Sequence, residues 1–438
     1  MIPKAIIFDL DDTIFRTEVC KPYLRTSAGR EVIPELIKSG EVVIDEMYPG
    51  IVIFINSLIS SGVGIYVISD SPKDYCTAVL LSKGIEIHED NVFGSQNKPC
   101  VEQHVFYDYY DDILVIGDSP KDIYFAHMND FPSVMLADLS PKGEVFYKKW
   151  TKPGEVCKNL NELKNIVSDF LQDNFCFYKN DFKSMYLTLN VETAKIVNIP
   201  SANIGHSFEY WPNINDAGED THKLDIWFDV KRSIKVAKEL TKEEIEKGSK
   251  VLFYNKNKTI GSGRSFKAIM WVYFQEFKKW VASKNIEGKI YLVPAPPSVP
   301  MECNKSFPIL ILIDWWAKYA YHDKEVKFEI EKYYSVDRFW PTIPAHMSNG
   351  PREVRPHFES LGVYPKLPKV SNASALIIID DIVTSGTQMS AVASMLLGCG
   401  LFLDEIPLYG YALARTTRSG FNTSELLKLF SDSEKAGA

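Results

Sequence analysis

The sequence predicts an α/β protein with two doubly wound parallel-sheet domains and an α+β segment between them. In residues 1–170, and again in 266–420, short apolar runs alternate with amphipathic stretches. Strands that alternate with helices in this way form parallel sheets covered on both faces. One apolar run in each region also ends directly in clustered aspartates. The 438 residues suffice for two or three domains of roughly 100–200 residues each.

Each predicted element rests on its own pattern. Strands are predicted from short continuous apolar runs, and helices from amphipathic stretches, of which two end at Gly84 and Gly398. In the first domain the predicted strands are 5–8, 64–69 and 112–116, and the predicted helices are 51–60, 75–83 and 120–128. In the second domain the predicted strands are 289–294, 375–379 and 406–414, and the predicted helices are 267–284, 307–321 and 388–397. The middle, 171–265, has no assigned fold, and 421–438 is predicted to be a polar tail.

Composition and charge exclude several classes of protein. The net charge is -8, so no overall positive field would attract nucleic acid or an anionic membrane. No stretch approaches the ~20 apolar residues of a membrane span, and Asp9 is atypical of a signal peptide. The 7 cysteines are scattered and form no C-x-x-C pair, which favours reduced thiols in the cytoplasm. We therefore expect small-molecule partners, with a homodimer left open.

The first candidate site follows the first predicted strand. Asp9 and Asp11 come directly after the apolar run at 5–8. The carboxyl ends of parallel strands face the ligand crevice. A carboxylate there can accept a phosphoryl group as an aspartyl phosphate, and a second carboxyl can protonate the leaving oxygen and then activate water. Without further residues, such a pair is often only a helix cap or a turn former.

Four further side chains extend this site. Asp118 and Asp122 follow the predicted strand at 112–116, and hard oxygen ligands on a tight loop suit Mg²⁺. Ser69 ends its own strand and can donate a hydrogen bond to a phosphoryl oxygen. Lys98 can neutralise the same group and stabilise charge during transfer. Taken alone, Ser69 is as consistent with a helix cap, and Lys98 with a surface lysine.

Together these residues resemble the signatures of phosphatases of the haloacid dehalogenase superfamily. The signatures occur in order as Asp9-x-Asp11-x-Thr13, Ser69, Lys98 before Pro99, and Gly117-Asp118-Ser119 with Asp122. The resemblance covers 1–135 and implies that Asp9 is the nucleophile and Asp11 the acid and base. It further implies Mg²⁺ held by Asp9, Asp118 and the Asp11 carbonyl, with Asp122 in support. The segment 17–46 is too short for a large lid, so the exclusion of water would need another domain or a partner.

A second candidate site follows the predicted strand at 375–379. Asp380 and Asp381 end that apolar run, and a small-residue loop with three hydroxyls, 384–387, precedes the next helix. Backbone N–H groups at a helix N-terminus can hold a phosphate, and hydroxyls add further donors. Asp380 and Asp381, which precede the loop, can accept hydrogen bonds from ribose hydroxyls. Another loop, 294–298, follows an earlier strand of the same predicted sheet.

This run resembles the donor-binding motif of type I phosphoribosyltransferases. The resemblance covers 285–415, and the loop at 294–298 is similar to that of the competence-protein branch of the family. It implies that the acids bind the ribose of phosphoribosyl pyrophosphate (PRPP) and that the loops bind its phosphates. The family usually has Ser or Thr where this chain has Gln388, a mild change because backbone groups carry most of the binding. The candidate PRPP-binding residues are Asp380, Asp381, Thr384, Ser385, Gly386, Thr387, Gln388, Ala295, Pro296 and Ser298.

Three further features allow two interpretations each. The loop before 375 carries side chains that could reach a pyrophosphate leaving group or could belong to a surface connection. They are Arg338, Thr342, Arg352 and Arg355. The aromatic stretch 205–212 could form a base-binding hood or an ordinary packed turn. The glycines in 261–265 could hold a phosphate or turn a hairpin.

The sequence thus predicts a bifunctional enzyme. It would combine a Mg²⁺-dependent phosphatase with PRPP-dependent phosphoribosyl transfer to or from a nucleobase-like acceptor, in nucleotide-type metabolism. The arrangement resembles the phosphatase–transferase fusions of tellurium-resistance and stress clusters. One alternative is a phosphatase regulated by a domain that only binds a ribose phosphate. Another is a non-enzymatic binding protein, against which the intact set of Asp9, Asp11 and Asp118 argues.

Overall fold

A computed structural model describes most of the chain. The described residues are 3–137, 142–176, 179–211, 221–255, 258–261, 264–343 and 352–417. They form a mixed α/β structure with a six-stranded and a five-stranded parallel sheet, which confirms the predicted fold class in outline. We call the part of the chain up to Cys176 the first unit and the part from Lys179 onward the second unit.

The first unit contains the six-stranded sheet. Its strands are β1 Lys4–Phe8, β2 Phe15–Arg16, β3 Asp45–Glu46, β4 Gly64–Ile68, β5 Val92–Phe93, β6 Asp112–Gly117, β7 Ser133–Leu136 and β8 Glu155–Cys157. Its helices are α1 Lys21–Leu24, α2 Ser27–Lys38, α3 Ile51–Ser60, α4 Lys73–Ser82, α5 Pro120–Met128, α6 Glu144–Trp150 and α7 Leu160–Leu171. The sheet order is β5-β4-β1-β6-β7-β8, while β2 and β3 form a separate short pair.

β1 lies inside this sheet because its apolar run can be buried on both faces. Ile6 and Phe8 pack into one core cluster, and Ala5 and Ile7 pack into another. β1 pairs in parallel with β4 on one side and with β6 on the other. Continuous apolar runs are typical of strands in parallel sheets with both faces covered. The carboxyl ends of β4, β1 and β6 therefore lie side by side.

The second unit contains the five-stranded sheet. Its strands, with two short pairs, are β9 Ile204–Tyr210, β10 Leu252–Asn255, β11 Lys258–Gly261, β12 Gly288–Pro294, β13 Phe328–Lys332, β14 Val336–Arg338, β15 Leu361–Val363, β16 Ala375–Val383 and β17 Leu408–Thr416. Its helices are α8 Thr221–Asp229, α9 Lys242–Lys247, α10 Phe266–Ser283, α11 Pro308–His322 and α12 Thr387–Gly398. The sheet order is β13-β12-β16-β17-β9.

The middle segment contributes directly to this sheet. β9 pairs in parallel with β17, so part of the range 171–265 forms an edge strand of the second sheet. The apolar and polar residues of β9 are mixed, and only Gly205 and Tyr210 in it are buried. The aromatic stretch expected to form a hood or a turn is thus strand through Tyr210, and 212–220 lie outside the described residues. The polar tail at 421–438 also lies outside them.

In the described residues the two units contact each other around α5 and around α1. At the first, the hydroxyl of Tyr124 on α5 donates to Glu302, which lies in the connection between β12 and α11. At the second, Arg25 of the first unit forms a 2.7 Å ion pair with Glu239. Near it, the rings of Tyr23 and Tyr254 stack with their centroids 4.8 Å apart. The short inserted segment that contains α1 and α2 is therefore covered by the second unit.

The cysteines and the helices bear on two of the expectations from composition. All seven cysteines are free thiols. Cys20, Cys76 and Cys157 are buried in the first unit. Of the helices that the structure describes, none has both the length and the apolar character required to cross a bilayer.

Candidate functional site

Three adjacent strands bring the residues of the first site to one edge of the sheet. Asp9 follows the last residue of β1, Ser69 follows β4, and Asp118 follows β6. The backbone N–H of Asp9 donates to the carbonyl of Ile116 in β6, which fixes the exit of β1 beside that strand. The side chains predicted from separate parts of the sequence therefore meet at the carboxyl edge, where ligands bind to sheets of this type.

Three carboxylates converge at this edge. One carboxylate oxygen each from Asp9, Asp118 and Asp122 can be chosen so that all lie within 4.8 Å of one another. Asp9 and Asp122 are buried, and Asp118 is half-buried. Gly117 makes the approach possible, because a Cβ on this residue would lie 2.3 Å from the Cβ of Asp122. Three carboxylates in so small a volume require a compensating cation.

Lys98 supplies part of that positive charge. Its ammonium donates to Oδ1 of Asp9 at 2.5 Å and also to Oδ1 of Asp122. Its backbone N–H donates to Oδ1 of Asp70 at 2.6 Å, which holds the loop that carries the lysine. Burial would lower the pKa of Lys98, but the charges of Asp122 and Asp9 outweigh it and raise this pKa well above its usual value. The two carboxylates therefore favour the charged form of Lys98 in the first site.

The carboxylates are nevertheless in excess over the lysine. Burial raises the pKa of Asp9 well above its usual value; Lys98 opposes this rise, while Asp122 and Asp118 add to it. Burial, followed by the charges of Asp122 and Asp12, raises the pKa of Asp118 to about 8. Hard carboxylate oxygens around one point fit Mg²⁺. The arrangement of these residues thus fits the predicted metal.

The three carboxylates differ in how far their oxygens are already used. Oδ2 of Asp122 accepts from the backbone N–H of Ser119 at 3.1 Å and from its hydroxyl at 2.9 Å. Its other oxygen accepts from Lys98. Both oxygens of Asp122 thus bind the loop and the lysine. In Asp9, Oδ1 accepts from Lys98, and Oδ2 has a longer contact of 3.4 Å with the hydroxyl of Thr13.

Asp11 has partners that the sequence did not reveal. Its Oδ2 accepts from the hydroxyl of Ser71 at 2.6 Å and from that of Ser69 at 3.4 Å. Its Oδ1 accepts from the hydroxyl of Tyr75 at 2.8 Å. Of these three, only Ser69 was a candidate from the sequence. The one available signal for Tyr75 was its hydroxyl, a polar group on the apolar side of the predicted helix. The sequence alone does not show which strand end this side of the helix faces.

The second site has its acids within the central strand. β16 continues beyond the predicted end at 379 to Val383, so Asp380 and Asp381 lie inside it and are half-buried. Burial, followed by the charge of Asp381, raises the pKa of Asp380 well above its usual value. Thr384 and Ser385 follow the strand and are exposed. The acids and the hydroxyls therefore lie in succession along one edge of the second sheet.

Gly386 allows the loop to turn into α12. Its φ of +80° is in the left-handed region, and a Cβ there would lie 2.3 Å from Cδ1 of Ile204 in β9. Within the loop, the hydroxyls of Ser385 and Thr387 are 2.5 Å apart. Hydroxyls and backbone N–H groups are thus grouped at the N-terminus of a twelve-residue helix. Such a group is a suitable place for a phosphate.

The second loop of this site is bound to the first. Nε2 of Gln388 donates to the carbonyl of Pro296 at 2.5 Å. The backbone N–H of Ala295 donates to Ile379 in β16 at 2.8 Å. The candidate residues after β12 and those after β16 therefore lie together, and the side chain of Gln388 bonds one loop to the other. Ser298 lies further along, where its carbonyl accepts from the backbone N–H of Thr342 at 2.8 Å.

The candidate arginines have separate positions. Arg338 is buried, and its Nε donates to the carbonyl of Pro297 at 2.7 Å. Arg355 donates to the carbonyls of Val191 and Glu192, in the segment that precedes β9. The carbonyl of Arg352 accepts from the hydroxyl of Thr387 at 3.3 Å. The intervening residues 344–351 lie outside the described part of the chain, as do 262–263 of the glycine-containing stretch, which begins at the end of the β10–β11 hairpin.

The connection between β12 and α11 reaches from the second site to α5. It contributes Pro296 and Pro297 to the second site. A few residues later Glu302 accepts from the hydroxyl of Tyr124, on the helix that also carries Asp122. The second unit thus contacts the helix that begins at the first site.

Comparisons with known proteins give limited matches. No protein-family model and no curated protein matches the chain. Solved structures that match part of it include a hydrolase from Pseudomonas syringae, with 16% identity, a TM-score of 0.29, and coverage of 38% of this chain and 98% of that chain. A predicted phosphatase from Clostridium acetobutylicum has 15% identity, a TM-score of 0.30, and coverage of 38% and 99%. A phosphoserine phosphohydrolase-like protein from Francisella tularensis has 16% identity, a TM-score of 0.26, and coverage of 37% and 99%. At these TM-scores the matches carry no conclusion about activity.

Proposed function

We propose that the first site hydrolyses phosphate monoesters with Asp9 as nucleophile and Mg²⁺ as cofactor. The observation that supports this most directly is the convergence of Asp9, Asp118 and Asp122 with the ammonium of Lys98 at one sheet edge. Carboxylates placed around a cation are suited to phosphoryl transfer, where positioning and charge stabilisation supply most of the catalysis. The arrangement also agrees with the resemblance to haloacid dehalogenase-type phosphatases.

The reaction would have two steps at Asp9. In the first, a carboxylate oxygen of Asp9 attacks phosphorus while Asp11 gives a proton to the departing ester oxygen, and the alcohol leaves. In the second, water attacks phosphorus and gives a proton to Asp11 while the bond from Asp9 to phosphorus breaks, so inorganic phosphate is released. Lys98 and Ser69 lie beside these carboxylates and would stabilise the phosphoryl oxygens. Mg²⁺, when bound, would add charge neutralisation at the same oxygens.

A direct test uses the full chain with Mg²⁺ and an aryl phosphate. The wild-type protein should release phosphate, and Asp9→Asn should abolish the release. Asp74→Asn is a matched control, because Asp74 is an exposed residue in the first turn of α4. Absence of turnover by the wild-type protein across aryl and alkyl esters would contradict the proposal, as would an Asp9→Asn variant of wild-type activity.

For the second site we propose PRPP-dependent transfer of a phosphoribosyl group to or from a nucleobase-like acceptor. The supporting observation is the joining of the two candidate loops by Gln388 and Pro296, next to the half-buried pair Asp380 and Asp381. The chain would then act on small phosphate esters at one site and on a ribose phosphate at the other. The product of the transferase is a phosphate ester, so the phosphatase would act on it or on a relative.

Binding of a ribose phosphate without transfer is the second candidate. It is favoured by the connection between β12 and α11, because a ligand at Pro296 would contact the segment whose Glu302 accepts from Tyr124 of α5. Pyrophosphate release from PRPP that needs an added base and disappears in Asp380→Asn/Asp381→Asn would support transfer. Binding of PRPP without release across a broad panel of bases would support the binding role. Asp404→Asn serves as the control, since Asp404 is an exposed residue of the same unit.

A further inference from the structure

We infer that Tyr75 is a positioning residue for the carboxyl of Asp11, and this inference rests on the proposed phosphatase function. The Tyr75 hydroxyl donates to Oδ1 of Asp11 at 2.8 Å. Tyr75 has 0% of its surface exposed, so its ring position is set by packing rather than by solvent. The resemblance to known phosphatases gives a role to Asp11 but none to a tyrosine in this helix.

The fold holds the hydroxyl from two sides. Tyr75 lies in the first turn of α4 and packs in the main core cluster of the first unit, together with Val79 of the next turn. Its hydroxyl also interacts with the thiol of Cys20, a buried residue of the segment inserted between β2 and β3. A buried tyrosine hydroxyl needs a hydrogen-bond partner. Asp11 is therefore connected, through one fixed phenol, to both α4 and the inserted segment.

The two oxygens of Asp11 are held by different partners. Oδ1 accepts from Tyr75 at 2.8 Å, and Oδ2 accepts from Ser71 at 2.6 Å and from Ser69 at 3.4 Å. Ser71 lies 2.6 Å from Oδ2, and a serine hydroxyl can donate to a carboxylate or accept from a carboxylic acid. Tyr75 thus fixes the orientation of the carboxyl, and Oδ2, beside hydroxyls that can donate or accept, is the oxygen that would exchange a proton with the substrate.

This arrangement has a consequence for the two-step reaction. In the first step the Oδ2–H proton of Asp11 would pass to the ester oxygen as the phosphorus–oxygen bond of the ester breaks. In the second step Oδ2 would take the proton of the attacking water. Misorientation of the carboxyl would slow proton transfer without removing the nucleophile Asp9. The effect should be large only for esters whose leaving group needs protonation.

A purely structural role for Tyr75 predicts a different result. Loss of a core contact or of a buried hydroxyl would disturb the whole site and lower turnover of all esters alike. A good leaving group, such as an aryl oxide, departs with little help from an acid, whereas a simple alkoxide requires a proton. The ratio of the two rates therefore distinguishes positioning of Asp11 from general damage to the site.

The experiment measures kcat and KM of the full chain with Mg²⁺ on p-nitrophenyl phosphate and on a simple alkyl phosphate. For Tyr75→Phe we expect kcat on the alkyl ester to fall about 10–100-fold, with much smaller loss on the aryl ester and little change in KM. The matched control is Tyr66→Phe, because Tyr66 is also buried and bonds the hydroxyl of Tyr110 at 3.0 Å. Equal losses on both esters would overturn the inference.

Two further variants keep the test decisive if Tyr75→Phe does not fold. Ser71→Ala removes a second partner of Asp11 and should shift the same ratio in the same direction. In an Asp11→Asn background, substitution of Tyr75 or Ser71 should cause no further shift, since the group they position is gone. A further shift of the same size would overturn the inference. No turnover of either ester by the wild-type protein would instead overturn the phosphatase proposal, and the role of Tyr75 with it.

Discussion

The hydroxyl of Tyr124 donates a hydrogen bond of 2.5 Å to Oε1 of Glu302. Tyr124 lies in α5, the helix that begins at the first site, and Glu302 lies in the connection that also forms part of the second site. Both residues are buried. A buried carboxyl costs free energy unless it is hydrogen-bonded. The pair therefore favours one arrangement of the two units and places the connection against the helix that carries Asp122.

Tyr124→Phe should weaken the association of the units. The change leaves Glu302 buried without this donor, and we expect the free energy of unfolding to fall by about 1–3 kcal/mol. Urea denaturation, followed by fluorescence and by far-UV circular dichroism, measures the loss. Tyr321→Phe is the control, because 86% of Tyr321 is exposed. Equal stability of the two variants would show that the hydrogen bond does not stabilise the contact.

Asp337 should make the stability of the second unit depend on pH. Burial raises its pKa from 3.8 to about 7, with Glu302 adding to the rise and the hydroxyls of Tyr364 and Tyr334 opposing it. The folded protein then keeps a proton that the unfolded chain has already lost. The contribution of Asp337 to the free energy of unfolding is fully present below about pH 4. It is lost as the pH rises to about 7, and the loss amounts to up to about 4 kcal/mol.

Asp337→Asn should remove that part of the pH dependence. The free energy of unfolding of the variant should fall less between about pH 4 and 7 than that of the wild-type protein. Denaturant titrations at closely spaced pH values give the two curves. Asp404→Asn, at an exposed position, should follow the wild-type curve. Parallel curves for the wild-type protein and Asp337→Asn would contradict the assignment of the slope to this carboxyl.

The sheets and the residues at their edges could be predicted because each signal is local. β1 is an apolar run followed directly by Asp9, and β16 is an apolar run that contains Asp380 and Asp381. A continuous apolar run of this length favours a buried strand over other structures. The helices Ile51–Ser60 and Pro120–Met128 have the bounds that the sequence predicts. Parallel strands then bring their carboxyl ends together without further information.

The missed features depend on contacts between distant parts of the chain. β9 is an edge strand of mixed polarity, so its burial pattern gives no clear alternation. The bond from Tyr75 to Asp11 spans 64 positions, and that from Tyr124 to Glu302 spans 178. Which side of a helix faces which strand end is decided by packing of the whole unit, and one sequence does not contain that information in a local pattern.

Mg²⁺ should stabilise the folded protein through Asp9 and Asp118. A ligand that binds only the folded state adds about 2.7 kcal/mol at a concentration 100 times its dissociation constant. Thermal unfolding with Mg²⁺ and with a chelator measures this difference without any turnover. Asp118→Asn should remove most of it, whereas Asp74→Asn, at an exposed position, should retain it. An undiminished Mg²⁺ effect in Asp118→Asn would place the ion elsewhere.

Gly117→Ala should disrupt the first site while leaving the core in place. The added Cβ would lie 2.3 Å from the Cβ of Asp122 and 2.4 Å from its Oδ2, so this carboxylate must move away from Lys98. Since small displacements of catalytic groups cost about 100-fold in rate, we expect a loss of that order in phosphatase kcat. Gly261→Ala is the control, because its added Cβ would meet side-chain atoms of Lys250 at ordinary contact distances of 3.5–3.6 Å.

Gln388 should contribute to donor binding by joining the two loops of the second site. Its amide donates to the carbonyl of Pro296, and Gln388→Ala would leave that carbonyl without this partner. A net hydrogen bond of about 1 kcal/mol corresponds to roughly a 5- to 10-fold change in affinity. Isothermal titration calorimetry with PRPP and Mg²⁺ should show a dissociation constant increased by that factor.

The control for this change is Gln172→Ala, at the end of α7 in the first unit. This control should leave the affinity for PRPP unchanged. A substitution of Asp9 should leave it unchanged as well, because Asp9 belongs to the first site and PRPP would bind at the second. A Gln388→Thr variant separates the link between the two loops from a hydroxyl contact to phosphate. The shorter side chain would restore a hydroxyl at the helix N-terminus but could not span to Pro296. If Gln388→Thr bound PRPP as tightly as the wild-type protein while Gln388→Ala did not, a hydroxyl contact to phosphate, and not the link between the loops, would determine the affinity.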